Sequence, residues 1–136
     1  MDIIEQARNI GKSIQQDDRY LKMQLTIQNA DADKELQDLI GQYNLKRMSI
    51  QNEMQKKDRD EAKLKSYQQE MNTVYAAIMK NPNMETYNKS RDEFTVLMRR
   101  VMAIIEQSAN GADPETADYS PSACSGNCAS CSEGCR

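Results

Sequence analysis

The chain has 136 residues, which is enough for one modest domain with a tail but too few for two independent cores. Hydrophobic residues make up 38% and charged residues 29%, with no tryptophan, a composition typical of long solvated helices rather than of a dense globule. The net charge of -3 arises in the tail from Gly111, and the balance of acids and bases over residues 1–110 argues against direct nucleic-acid binding.

The N-terminal residues carry two apolar stripes with helical spacing. The break between the stripes falls at Asp17 and Asp18, where an aspartate can cap a new helix, and Leu21 and Leu25 follow. This pattern predicts two short helices or one bent helix. The first stripe consists of Ile3, Ile4, Ala7, Ile10 and Ile14.

A long amphipathic helix is predicted after the start signal at Asp31-Ala-Asp33, interrupted only by Gly41. Its apolar stripe lapses around Asp58-Arg-Asp60 and resumes at Leu64. The lapse fits either a tight turn between antiparallel helices or a solvated stretch of one helix. The stripe before it consists of Leu36, Leu39, Ile40, Tyr43, Arg47, Ile50 and Met54.

A last long helix is predicted after Asn81-Pro82-Asn83, because proline disfavours helix at the preceding residue and is favoured in a first turn. It should end near Ser108-Ala-Asn-Gly111, where asparagine and glycine accept the left-handed conformation. The fold class is therefore all-α, a bundle of about four or five helices. We expect a bundle domain over residues 1–110, a linker over 111–123 and a flexible cysteine-rich tail over 124–136.

The tail holds every cysteine of the chain, as Cys124, Cys128, Cys131 and Cys135 in a C-x3-C-x2-C-x3-C run without any histidine in the sequence. Four thiolates form a complete ligand set for one metal centre. A contiguous run favours an iron-sulfur cluster, a structural zinc is the alternative, and thiols without a metal remain a third reading. Small residues such as Gly126 allow the backbone to approach the sulfur atoms closely.

The N-terminus lacks the basic and apolar regions of a secretory signal, and the longest apolar run covers only residues 101–105. We therefore expect no membrane span and a cytoplasmic location, where thiols stay reduced and available to a metal. The sequence shows no nucleophile motif and no phosphate-binding loop, so we expect a protein that is not an enzyme. A redox enzyme or electron carrier would need a substrate pocket, for which there is no sequence signal.

Residues 2–108 resemble the YlbF/YmcA family of small all-helical control-of-competence regulators. The resemblance rests on the opening Asp2-Ile-Ile-Glu-Gln-Ala-Arg-Asn-Ile-Gly-Lys-Ser-Ile14, on the order of the long charged helices and on the cysteine tail. It implies a [4Fe-4S] cluster bound by Cys124, Cys128, Cys131 and Cys135. Zinc is the alternative metal.

The resemblance also implies partners. These are a second copy or a YlbF/YmcA paralogue, a YaaT-like protein and ribonuclease Y. The expected function is that of a non-enzymatic adaptor that modulates ribonuclease Y-dependent mRNA processing and decisions on competence, sporulation and biofilm formation. The rival hypothesis is a structural zinc-binding protein that supports helical oligomerisation.

Overall fold

The computed structural model describes residues 2–121, and within this range it contains five helices and no strand. The predicted all-α class is confirmed, and the five helices agree with the predicted number of about four or five. No helix among the described residues is long and apolar enough to cross a membrane. The helices are α1 (Ile3–Gln16), α2 (Asp18–Ala32), α3 (Lys34–Met54), α4 (Glu61–Lys80) and α5 (Pro82–Ala109).

Aspartates cap three of these helices. Asp17, Asp33 and Asp60 precede α2, α3 and α4, and each side chain accepts a backbone N–H from the first turn of its helix. A carboxylate at this position satisfies an unpaired donor and interacts favourably with the positive end of the helix dipole. The start signals predicted at Asp17 and Asp33 are therefore confirmed.

Two separate helices open the chain, divided by Asp17 alone. Its backbone is extended, with φ -71° and ψ 141°, so it ends α1 and begins α2. Arg19 donates to the Asp17 carboxylate through Nε and Nη2, each at 2.9 Å. This hydrogen bonding by Arg19 lowers the pKa of Asp17 to about 2.

The lapse near Asp58 is a turn, since α3 ends at Met54, α4 begins at Glu61, and the two helices pack against each other. The buried Glu53 stabilises this turn through two hydrogen bonds. Its Oε1 accepts the Asp60 N–H at 2.9 Å, and its Oε2 accepts a bond from Lys56 Nζ at 3.0 Å. The turn thus closes on a side chain from the end of α3.

The connection between α4 and α5 matches the sequence prediction. Helix α4 ends at Lys80, and Pro82 is the first residue of α5. Proline lacks a backbone N–H, and at this position an N–H would have no partner within the helix. The Asn81 side-chain oxygen accepts the backbone N–H groups of Asn83 at 2.9 Å and Met84 at 3.1 Å. Asn81 therefore caps α5.

The chain divides into two compact units, with the boundary after Phe94, inside α5. In the first unit, the core centres on the fully buried Leu36, which clusters with Ala30 and Ile78. The hydroxyls of Thr26 and Ser90, both buried, lie 2.7 Å apart and join α2 to the first part of α5. The expected division into bundle, linker and tail stays a prediction.

A candidate cysteine site and the segment before it

The predicted metal ligands Cys124, Cys128, Cys131 and Cys135 lie outside the described residues, and their role stays a prediction. The described chain ends at Pro121, three residues before the first cysteine. Among residues 2–121, no group of three or more histidine, cysteine, aspartate or glutamate side chains is arranged to hold a metal. The described residues nearest to the predicted site are those of the segment that leads to it, residues 111–121.

This segment begins at a glycine that closes α5. Gly111 has a φ of +92°, a conformation that is strained for a residue with a side chain. The Gly111 N–H donates to the Ser108 carbonyl at 3.1 Å, and the Ala112 N–H donates to the Gln107 carbonyl at 3.0 Å. These two bonds form a Schellman motif, which satisfies the last carbonyls of the helix. The helix end predicted near Gly111 is confirmed.

A second turn follows at Asp113. Its side chain accepts the Glu115 N–H at 3.0 Å, and its carbonyl accepts the N–H groups of Thr116 at 3.2 Å and Ala117 at 3.0 Å. Ala117 is buried. The segment is thus built from two hydrogen-bonded turns, one after the other.

Two side chains of α5 anchor the end of the segment at Asp118. The Arg100 guanidinium donates from Nε to Oδ1 at 3.0 Å and from Nη2 to Oδ2 at 2.8 Å. Gln107 donates from Nε2 to the Asp118 carbonyl at 2.9 Å. The hydrogen bond from Arg100, followed by that from the Tyr119 N–H, lowers the pKa of the Asp118 carboxyl. At neutral pH, Asp118 is therefore ionised and held against the helix.

A cation–π contact lies where the described chain ends. The Arg99 guanidinium lies over the ring of Tyr119, 5.8 Å from its centroid, next to the Arg100 pair. Cationic groups stabilise the thiolate form of nearby cysteines, and a thiolate is the form that binds metals. Arg99 is thus a cationic group near the end of the described segment, whereas the charge of Arg100 is offset by Asp118.

Sequence reasoning did not find the anchor formed by Arg100, Gln107 and Asp118. The two ion-paired residues are eighteen positions apart, and each reads in the sequence as an ordinary solvated charge. A salt bridge between a helix and an irregular segment follows no period. The predicted helix end at Gly111 was the only local signal of a change in chain direction here.

The helical part of the chain matches a family model, and the tail lies beyond the match. The model is described as control of competence regulator ComK, YlbF/YmcA, and it matches residues 3–110. The match therefore contains all five helices and stops just before Gly111 and the cysteines. No curated protein and no solved structure matches the chain significantly.

Proposed function

The chain belongs to the YlbF/YmcA family of competence regulators, and from this we propose that it is a non-enzymatic adaptor with a bound [4Fe-4S] cluster. The adaptor carries or shares the cluster through Cys124, Cys128, Cys131 and Cys135. It acts in a cytoplasmic multiprotein complex that modulates ribonuclease Y-dependent mRNA processing, and hence competence, sporulation and biofilm formation. The observation that carries the proposal is the run of four cysteines that follows the family-matched helices, beyond residues 111–123.

The donor set fits such a group. A [4Fe-4S] cluster takes four thiolates, and the tail supplies four cysteines within residues 124–135, while the sequence has no histidine to complete a mixed zinc site. The residues between the cysteines include glycines and serines, which are small enough to let the backbone approach the sulfur atoms. When bound, the cluster supplies reversible one-electron chemistry.

The described segment that precedes the tail is anchored on α5. Arg100 and Gln107 hold Asp118, and three peptide units separate Pro121 from Cys124. Three residues of extended chain span at most about 11 Å. The first cysteine is therefore joined by a short covalent connection to a segment that is itself anchored on α5.

Protein partners fit this chain better than RNA does. Acidic and basic side chains balance over residues 1–110, so no excess of positive charge is available for phosphate. A cluster on a short tail needs cover from solvent, which a YaaT-like protein or a YlbF/YmcA paralogue would provide. The adaptor then contacts ribonuclease Y rather than its RNA substrate.

Metal content tests the cofactor directly. The full chain is purified without oxygen, and iron, acid-labile sulfide, zinc and the visible absorption spectrum are measured for the wild type, Cys128→Ser and Cys131→Ser. Ser130→Ala is the matched control in the same run. We expect equal amounts of iron and sulfide in the wild type and the control, and loss of both in the cysteine variants. Zinc without sulfide would contradict the cluster and favour the structural zinc protein.

Activity in cells tests the regulatory part. Cells carrying the chain with all four cysteines replaced by serine are compared with wild-type cells by mapping ribonuclease Y cleavage sites across the transcriptome. We expect altered cleavage at a defined subset of transcripts. Unchanged cleavage both in these cells and in cells without the protein would refute the role in mRNA processing.

A further inference from the structure

Asn110 and Gly111 form the only Asn-Gly pair of the chain, and they follow directly after the last residue of α5. Both residues are exposed to solvent, and a Cβ built on Gly111 would meet no other atom within 4 Å. Because glycine has no side chain, its backbone nitrogen can closely approach the side-chain carbonyl of a preceding asparagine. The pair therefore has the covalent structure and the open surroundings that spontaneous deamidation requires.

We propose that Asn110 is a deamidation site whose reaction releases residues 111–119 from α5 as the protein ages. The backbone nitrogen of Gly111 loses its proton to base and attacks Cγ of Asn110. The bond from Cγ to Nδ2 breaks, and Nδ2 leaves as ammonia after it takes a proton from solvent. Water then opens the cyclic imide at either of its carbonyl groups, which gives aspartate or isoaspartate. The reaction consumes one water and needs no oxidant or metal, so it is independent of the proposed cofactor.

The closed end of α5 restrains the two reacting groups. The Gly111 N–H donates to the Ser108 carbonyl at 3.1 Å, which engages the attacking nitrogen. The Asn110 Nδ2 donates to the Glu106 carbonyl at 3.1 Å, which holds the side chain back along the helix. Both bonds have to break before Cγ can reach the nitrogen. The rate of deamidation therefore follows the fraction of molecules in which this helix end is open.

Gln107 connects the helix end to the anchor at Asp118. Its carbonyl accepts the Ala112 N–H at 3.0 Å, and its Nε2 donates to the Asp118 carbonyl at 2.9 Å. Arg100 holds the carboxylate of the same aspartate. A segment held at Asp118 keeps Ala112 close to Gln107, so the anchor lowers the fraction of open molecules. A partly exposed ion pair of this kind should slow the reaction about two- to fivefold.

The product of the reaction weakens the same helix end. The new carboxylate places negative charge beside the last carbonyls of α5, where the helix dipole is already negative. It also cannot donate to the Glu106 carbonyl as the Asn110 amide does. Isoaspartate in addition lengthens the main chain by one carbon atom just before Gly111, so the bonds from Gly111 and Ala112 lose their register. Because the reaction is irreversible, molecules with a released segment accumulate.

Peptide mapping by mass spectrometry tests the site, with electron-transfer fragmentation to distinguish aspartate from isoaspartate. The full chain is incubated with a reductant in slightly alkaline buffer, because the attacking nitrogen must lose its proton. We expect Asn110 to react before every other asparagine of residues 2–121, and to react faster in urea than in the folded chain. An earlier reaction at another of these asparagines, or equal rates with and without urea, would overturn the proposal.

Two variants of the segment test the control by the anchor. Asp118→Asn removes the ion pair with Arg100, whereas Glu115→Gln removes an acid from the same segment and is the matched control. We expect Asn110 to deamidate about two- to fivefold faster in folded Asp118→Asn than in the wild type, and at the wild-type rate in Glu115→Gln. In urea the three rates should be equal. A wild-type rate in folded Asp118→Asn would contradict the coupling.

Hydrogen exchange tests the release of the segment. Amide exchange across residues 112–119 is measured before and after incubation for the wild type and for Asn110→Gln, whose longer side chain keeps the amide but forms the cyclic imide far more slowly. We expect exchange to rise in the deamidated wild type and to stay constant in the variant. Unchanged exchange in deamidated wild-type chains would show that the reaction does not release the segment.

Discussion

Arg100 and Asp118, eighteen positions apart in the sequence, form a bidentate ion pair. The arginine donates from Nε to Oδ1 at 3.0 Å and from Nη2 to Oδ2 at 2.8 Å. This geometry is the strongest that arginine makes with a carboxylate. Both side chains are partly exposed to solvent, at 55% and 41%, so water screens the pair and its effect on global stability is small. Its consequence is positional, since it sets where the chain runs after α5.

The first prediction concerns this anchor. Asp118→Asn should raise amide hydrogen exchange across residues 112–119 without changing the unfolding midpoint of the helices, because the segment loses its hold on Arg100. Hydrogen exchange followed by mass spectrometry measures the effect. Glu115→Gln removes an acid from the same segment and serves as the control. Equal exchange in the two variants would show that the ion pair does not hold the segment.

The core of the first unit should depend on Leu36, whose side chain is fully buried. Leu36→Ala should lower the free energy of unfolding by about 2–5 kcal/mol, since it removes apolar contacts and leaves a cavity. Leu45→Ala is the matched control on the same helix, because Leu45 is 64% exposed, and it should cost less than about 0.5 kcal/mol. Urea unfolding measures both. Similar losses in the two variants would place the core elsewhere.

The buried hydroxyls of Thr26 and Ser90 should act as a pair. Each also lies within hydrogen-bond distance of a carbonyl, that of Met23 at 2.8 Å and that of Tyr87 at 2.9 Å. Two hydroxyl protons cannot make all three bonds at once. Thr26→Val and Ser90→Ala should therefore each cost about 1 kcal/mol, and the double variant should cost less than their sum. A double-mutant cycle by urea unfolding measures the coupling, and strict additivity would exclude it.

Asp33, which caps α3, is hydrogen-bonded to Asn81, which caps α5. The Asp33 Oδ2 accepts bonds from the amides of Asn81 at 3.0 Å and Asn83 at 2.9 Å, while its Oδ1 caps α3. Asn81→Asp keeps an acceptor for capping α5 but sets a second carboxylate against Asp33, so its unfolding midpoint should fall at neutral pH. Adding Asp33→Asn should restore part of the loss. Urea midpoints of the wild type, both single variants and the double variant measure this, and additive losses would contradict it.

Glu53 makes the turn at residues 55–60 sensitive to acid. Hydrogen bonds from the Asp60 N–H, and next from Lys56, lower the pKa of the buried carboxyl below its usual 4.5. A lowered carboxyl pKa adds stability that is complete above the unfolded value and is lost as the pH falls through the folded value. Glu53→Gln should therefore unfold more easily than the wild type at about pH 7, with the difference shrinking towards about pH 3. A constant difference across this range would contradict the assignment.

The sequence predicted those features that depend on neighbouring residues. Asp17 and Asp33 before apolar runs, Pro82 after Asn81 and Gly111 after the last stripe obey local backbone rules, and each marks a helix end in the structure. Periodicity could not decide whether the lapse near Asp58 was a turn, because an exposed turn and a solvated helical stretch show the same polar pattern. The structure resolves it through a contact with Glu53.

Contacts between distant residues could not be predicted from the sequence, for a different reason. Arg100 with Asp118, and Asp33 with Asn81, meet only once the helices have packed, and no spacing rule links their positions. The cysteine run is the opposite case. Its chemistry can be read from residue type and spacing alone, whereas the described part of the structure ends before it.

The single residue between α1 and α2 has a mechanical consequence. Only the backbone torsions of Asp17 separate the two helices, and Arg19 clamps its side chain. Because α1 is about 21 Å long, a rotation of about ten degrees at Asp17 would displace its N-terminal end by about 4 Å. The torsions of Asp17, together with the contacts between α1 and α2, therefore determine the direction of α1.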